Sequence, residues 1–397
     1  MTLPQHTDIV VVGGGPAGLA AATALAPRHR VLLLEREAEA GGIPRHCGHY
    51  PYGLREFRRL MKGPAYARAL VARAVAAGVT IATGVSVTAL HDGPRISVTS
   101  DAGLQEITAK AVLLATGVRE TSRATRLIGG EKPAGVLSTG ALQGLVYLQG
   151  LRPFHNPVIL GTELVAFSAI MTLAHAGIRP AAMIEPQSRA TARWPAALYP
   201  RLKGIPLHLD TRILSIEGRE RVEAVVLQGS EGPWRLPCDG VITTGRFRPE
   251  ATLLPPATRD PATGGPLIDS RGALKMQGYF AAGNLLRPAE TAGFSWAEGR
   301  AVAAAIDACL SGDTPPAARP VRLHHPALAW VVPQVVTTTN AHHVLQLQVN
   351  RPVAGRLSLR VGGVELASKT VNTRPVRRIH LPIPQGHGPI DIHLEER

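Results

Sequence analysis

At 397 residues, 45% hydrophobic and 18% charged, the chain has enough apolar content for buried cores in two or three domains. Its net charge of +14 comes mainly from scattered arginines, and with only 4% aromatic residues there is no basic run interleaved with stacking rings, which excludes a nucleic-acid groove. No stretch of about 18 uncharged apolar residues is present to form a spanning helix. A strand begins directly after Met1–Thr7, leaving no room for a signal peptide, so a cytoplasmic location is expected.

The first element is the β-branched run Asp8-Ile9-Val10-Val11-Val12, which suits a fully buried strand. It enters Gly13-Gly14-Gly15-Pro16-Ala17-Gly18 and then a helix-forming stretch, Leu19 to Ala26. A second apolar strand, Arg30 to Leu34, closes on Glu35. A G-x-G-x-x-G turn between strand and helix, with an acid ending the next strand, specifies a dinucleotide site. Gly13 makes the turn, Gly15 lets a pyrophosphate reach the backbone, and Gly18 lets the helix pack on the sheet. Pro16 and Ala17 open the helix, whose N-terminal N–H groups and dipole face the phosphates. Glu35 is placed to accept from ribose hydroxyls, and Arg36, Gly42 and Val85 belong to the same candidate set.

Next comes Gly41-Gly42-Ile43-Pro44-Arg45-His46-Cys47-Gly48-His49, then Gly63-Pro64-Ala65-Tyr66-Ala67. Two apolar strands ending in small-residue turns follow later: Ala111 to Leu114 with Ala115-Thr116-Gly117, and Gly278 to Ala282 with Gly283-Asn284, before a helix from about Phe294 to Cys309. The three cysteines, Cys47, Cys238 and Cys309, lie too far apart in sequence for a C-x-x-C redox pair or a four-cysteine metal site. The pairs His324-His325 and His342-His343 lack metal-ligand spacing.

With these motifs the sequence resembles the pyridine nucleotide-disulfide oxidoreductases, two-dinucleotide-domain flavoproteins, over roughly residues 5 to 312. The resemblance implies one FAD held by Gly13, Gly15, Gly18, Ala115, Thr116, Gly117 and Gly283. The family's late aspartate, which holds the ribityl chain, is Asn284 here, an amide that still hydrogen-bonds but carries no charge. Thr291 and the Ala292 N–H are candidates for the flavin pyrimidine edge at the start of the last helix. Glu290 is a candidate for substrate contact or helix capping, and Arg287 for an anionic group, with a solvated surface position the alternative for both.

Disulfide reductases of this superfamily carry redox cysteines in the stretch that here retains Cys47 alone. The segment instead resembles a branch with a G-G-I-x-x-x-C-x-H-x-x-x-G pattern followed by G-P-x-Y-A, whose members accompany glycerol-3-phosphate, proline, hydroxyproline or opine dehydrogenase systems. Cys47 and His49 are the candidates for chemistry beside the flavin, since an imidazole exchanges protons near neutral pH. The alternative is that Cys47 packs as a small apolar residue while His46 and His49 satisfy loop backbone.

A second βαβ unit starts at Pro157 to Leu160, but its turn reads Gly161, Glu163, Ala166 at the three motif positions. A carboxylate about 4 Å from a phosphate charge costs roughly 4 kcal/mol at an effective dielectric near 20, about three decades of affinity. Glu185, ending the strand Ala181 to Ile184, suits a nucleotide ribose or a surface position equally. Past a proline-rich linker (Asp313 to Pro320), the segments Leu328 to Thr338, Val344 to Val349, Arg356 to Val361 and Ile379 to Pro382 alternate as short strands.

The expected fold is α/β, with two Rossmann-like dinucleotide-binding domains and a small C-terminal all-β domain. FAD-domain segments are expected at 1–120 and 251–312, a connecting segment at 121–154, a non-competent second nucleotide domain at 155–250, and the β domain at 313–397. The expected function is an FAD-dependent dehydrogenase, or a subunit of one, oxidising a small amine, amino acid or hydroxy acid. Electrons would pass to a partner flavoprotein subunit, quinone or dye. Alternatives are an NAD(P)H-dependent flavin reductase and a non-catalytic FAD-binding scaffold. The net charge also fits an acidic partner or a peripheral membrane contact. The C-terminal domain is read either as a docking surface for a partner or as a lid over the FAD domain.

Overall fold

The computed structural model describes residues 3–192, 195–313, 318–337, 342, 344–375 and 377–397. The expected strand end Thr338 and residue His343 lie outside the described residues, as do positions 314–317 of the linker. The chain divides into two compact units. Unit 1 joins Met1–Gly42, Ala67–Val118 and Arg248–Arg397, while unit 2 joins Ile43–Tyr66 and Arg119–Phe247.

In chain order, the elements that position the candidate sites are β1 (Ile9–Val12), α1 (Pro16–Leu25), β2 (Val31–Glu35), α2 (Gly63–Ala76), β3 (Thr80–Thr83), β4 (Ala111–Leu114), β5 (Val136–Ser138), β6 (Val158–Leu160), α3 (Leu164–His175), β7 (Ala182–Ile184), β8 (Leu207–His208), β9 (Val241–Thr243), β10 (Tyr279–Ala281) and α4 (Ala292–Leu310). Helix α1 begins at Pro16, ahead of the alanine-rich stretch, because proline at the first helical position loses no hydrogen bond and has a preset φ.

Unit 1 holds a parallel sheet in the order β10-β4-β1-β2-β3. Its central strands are apolar at every position because both faces are covered: Val10, Val12, Leu32 and Leu34 pack with Ile96, Val98 and Ile107 of the antiparallel three-stranded sheet in residues 86–108, and β1 and β4 are buried throughout. Unit 2 repeats the plan with β5-β9-β6-β7-β8, again parallel. The two turns match in detail: Gly13 N–H donates to Leu34 O at 2.8 Å, and Gly161 N–H to Ile184 O at 2.9 Å. The architecture is therefore α/β, with Rossmann-like parallel sheets and a C-terminal all-β region.

That region contains β11 (Arg319–Leu323), β12 (Leu328–Val332), β13 (Val335–Val336), β14 (Val344–Val349), β15 (Val353–Val361), β16 (Val364–Thr373), β17 (Ile379–Pro382) and β18 (Ile390–Glu396). They form a five-stranded sheet, β13-β11-β18-β15-β16, and a three-stranded sheet, β12-β14-β17. Inward-facing Leu345, Leu347, Leu357, Leu359, Ile390 and Ile392 fill their shared core. Trp330 and Val332 instead join the core of the first nucleotide-type fold. Among the described residues no helix is long and apolar enough to cross a membrane.

Candidate functional site

The first glycine turn is built by close approach. Gly13 has φ +108°, and a Cβ there would stand 2.5 Å from Ala115 O. A Cβ on Gly18 would stand 2.0 Å from Gly13 O, so α1 rests directly on the turn that precedes it. Gly42, at φ +62°, would meet Gly15 Cα at 2.8 Å. Above Gly15 itself there is open space, with nothing within 4 Å of an added Cβ. Gly15 is the N-cap of α1 and offers no side chain to its N–H groups, so these point into that space.

Glu35 is buried at the end of β2, where its carboxylate accepts from Gly14 N–H at 2.8 Å and Glu37 N–H at 3.0 Å. Arg36 is exposed and lies 3.7 Å from Glu37, a solvated pair worth little. Val85 is buried, its N–H donating to Glu35 O at 3.0 Å. Beyond β4, the Thr116 hydroxyl donates to Glu250 O at 2.7 Å, and Glu250 N–H donates to Gly117 O at 2.9 Å. Gly117, at φ +74°, also has open space where a side chain would sit.

Gly283, at φ +76°, approaches Ala17: a Cβ on it would lie 2.7 Å from the Ala17 Cβ. Its N–H donates at 2.8 Å to Glu298, a buried carboxylate on α4 that no motif in the sequence marks. Asn284 spans its own loop. Its Oδ1 accepts from Glu290 N–H at 2.6 Å and its Nδ2 donates to Glu290 O at 3.2 Å, a reciprocal pair that a carboxylate could not make. Thr291 is the N-cap of α4 but makes no side-chain cap, and Ala292 starts the helix two residues before Phe294.

Solvation of Arg287 and Glu290 does not hold. Arg287 is 1% exposed and pairs with Glu298 at 3.0 Å. Glu290 pairs with Arg378 at 2.9 Å and does not cap α4. The partners that bury these two side chains lie 11 and 88 residues away in sequence.

The second turn is closed by its own residues. Gly161 has φ +123° and Glu163 is the N-cap of α3. The Glu163 carboxylate accepts from the Thr244 hydroxyl at 2.6 Å. An added Cβ on Gly161 would fall 2.6 Å from Glu163 Oε2, and one on Gly245 would fall 2.1 Å from its Oε1. Burial pushes the Glu163 pKa up, against the pull of the Thr244 hydroxyl. Glu185, read as a ribose ligand or a surface residue, is 4% exposed and accepts from Gln187 N–H at 3.0 Å and from the Thr162 hydroxyl. Thr191 N–H donates to that hydroxyl at 2.9 Å and Ala192 N–H to Thr162 O at 3.0 Å, so the loop after β7 lies over the turn.

Cys47 and His49 fall in unit 2, whereas every cofactor candidate falls in unit 1. Ile43–His46 forms a 3₁₀ turn, and Gly63, whose Cβ would strike Cys47 O at 2.3 Å, packs against it. The Cys47 thiol donates to Gln143 Oε1 at 3.4 Å, and Gln143 Nε2 donates to Ser168 Oγ at 2.6 Å. Burial pushes the Cys47 pKa up to about 11, leaving a protonated thiol at neutral pH. His49 Nδ1 is 2.8 Å from Tyr50 O. Since a carbonyl only accepts, Nδ1 carries the proton and Nε2 is the basic nitrogen. Cys238 is buried and unreactive by the same reasoning, its pKa raised to about 11 by burial.

Among known proteins, the family model described as pyridine nucleotide-disulphide oxidoreductase matches residues 7–303. Sarcosine oxidase subunit alpha of Corynebacterium sp. (strain P-1) is 29% identical over 273 residues, 62% of this chain and 27% of the relative. Hydrogen cyanide synthase subunit HcnB of Pseudomonas aeruginosa is 28% identical over 253 residues, 57% of this chain and 52% of the relative. The chain thus spans about a quarter of one relative and about half of the other. Thioredoxin reductase of T. acidophilum superposes with a TM-score of 0.67 at 19% identity, covering 78% of this chain and 100% of that one, a likeness of fold.

Proposed function

Because the chain belongs to the pyridine nucleotide-disulphide oxidoreductase family, we propose that it is an oxidoreductase that holds one FAD on its first glycine turn and takes no electrons from NAD(P)H. One contrast carries the reading: the space over Gly15 is open, while the corresponding space in unit 2 is filled by the Glu163 carboxylate. The residues fit the group. The free N–H groups of α1 would bind the diphosphate, Glu35 the adenosine ribose, and the Thr116-Gly117 turn would leave room beside β4. The uncapped N-terminus of α4 would stabilise negative charge on the pyrimidine edge through Thr291 and Ala292. FAD, once bound, supplies acceptance of a hydride from substrate.

The substrate class we infer is a small amine, amino acid or hydroxy acid, and the electron acceptor a partner flavoprotein subunit, quinone or dye. That two relatives are named as subunits supports a heteromeric assembly. Within this reading His49 Nε2 accepts the substrate proton, while Cys47, a thiol at neutral pH, orients the Gln143 amide.

The test is optical. Purified protein should carry about one FAD per chain, the capacity of a single open turn. Under anaerobic conditions added NADH or NADPH should leave that flavin oxidised. Bleaching by micromolar nicotinamide would instead establish the flavin-reductase alternative.

A further inference from the structure

We propose that the C-terminal β domain is a built-in clamp on the loop that starts helix α4, and that Arg378 is its positioning residue. The proposal rests on the FAD reading for its meaning, and on unit 1 geometry alone for its existence.

The loop runs from Gly283 to Thr291, and Asn284 ties its two ends together through Glu290. Inside it, Arg287 is 1% exposed and is fixed on two sides. Its Nη2 lies 3.0 Å from Glu298 Oε1, and its Nε donates to Gln346 Oε1 at 2.7 Å. Gln346 belongs to β14 of the C-terminal domain. Two residues on, and so on the same face, Gln348 accepts from Arg378 Nη1 at 2.6 Å. The same guanidinium donates from Nε to Glu290 Oε1 at 2.9 Å and from Nη2 to Pro288 O, while stacking over the Trp330 ring at 4.7 Å. Arg378 therefore bridges the two parts: two of its contacts, Glu290 and the Pro288 carbonyl, lie in the loop, and two, Gln348 and Trp330, lie in the C-terminal domain.

Two arginines and two glutamates make this cluster formally neutral, and the Arg378 and Glu290 side chains are each 12% exposed. Buried ion pairs return little net stability after desolvation but tolerate few geometries. Their yield here is placement. The held segment ends at Thr291, where α4 begins with its N–H groups uncapped by any side chain. In the FAD reading those groups meet the flavin, so Arg378 acts on them through Glu290 and the Pro288 carbonyl without touching the flavin. A planar, bidentate donor is needed, and lysine can replace only part of it.

The experiment compares full-length wild type, Arg378→Met, Arg378→Lys and Glu290→Gln. Amide hydrogen exchange over residues 284–292 should rise about tenfold or more in Arg378→Met, with partial rescue in Arg378→Lys. FAD should bind about tenfold more weakly and the flavin midpoint potential should shift. If Arg378→Met lowers the melting temperature but leaves loop exchange, FAD affinity and potential unchanged, the clamp is wrong and the contact is merely structural. Should Arg378→Met not fold, Glu290→Gln, which keeps the side-chain shape, is read by the same criteria. A wild type that stays colourless with FAD would sink the FAD reading alone, because loop exchange is measured without flavin.

Discussion

At the residue scale, two glycines three positions apart in the first turn, Gly15 and Gly18, separate binding from folding. Gly15 has φ −81° and open space about its absent side chain, so Gly15→Ala is expected to fold normally. Gly→Ala at a compatible backbone changes stability by roughly 0.4–1 kcal/mol, in the stabilising direction. The new methyl projects into the cradle, so flavin content should fall sharply while the apoprotein melts no lower. Gly18→Ala would drive a methyl to 2.0 Å from the Gly13 carbonyl, which only backbone movement relieves. A loss of about 1–3 kcal/mol is expected, read by denaturant unfolding. His49→Ala should cut turnover about 100-fold or more while leaving FAD content intact. Unchanged turnover of the purified assembly would favour the scaffold alternative.

Among elements, the parallel sheet of unit 1 is tied at its lower edge by one carboxylate. Asp8, just before β1, accepts from Arg30 N–H at 2.9 Å, where β2 begins, and lies 3.0 Å from Lys110, ahead of β4. The Arg30 backbone N–H, followed by Lys110, holds its pKa well below the usual carboxylate range. A depressed folded pKa means stability that is present above the unfolded value near 3.9 and lost as pH falls towards the folded one. Asp8→Asn is therefore expected to cost about 1–2 kcal/mol at pH 7 and to narrow its gap from wild type below pH 4, measured by urea midpoints. Helices α1 and α4 meet with similar economy: a Cβ on Gly299 would lie 2.1 Å from Ala17 O.

Over the whole molecule, the net charge of +14 means that the proposed heteromeric assembly would be favoured by an acidic partner. Such an association is expected to weaken steeply with salt, because screening shortens from about 10 Å at 0.1 M to 3 Å at 1 M. A second polypeptide should co-purify at low ionic strength and be lost in 1 M salt. Retention of that polypeptide at 1 M would mean an interface dominated by apolar burial. The C-terminal domain was open to reading as lid or docking face, and its sheet β12-β14-β17 meets the Gly283–Thr291 loop through Gln346, Gln348 and Arg378.

Sequence alone determined the two nucleotide-type folds, since a strand, a glycine turn and a helix are local and their spacing is dictated by backbone geometry. It also located Glu163 in the second turn, because that position is counted along the chain. Only tertiary structure decided where the carboxylate goes: it turns onto Thr244, 81 residues away. Likewise Arg287 with Glu298 and Gln346, and Glu290 with Arg378, join segments 11 to 88 residues apart, and no local pattern encodes such partners. Burial of a charge is a property of what folds over it, so it becomes visible only when the distant strands are in place.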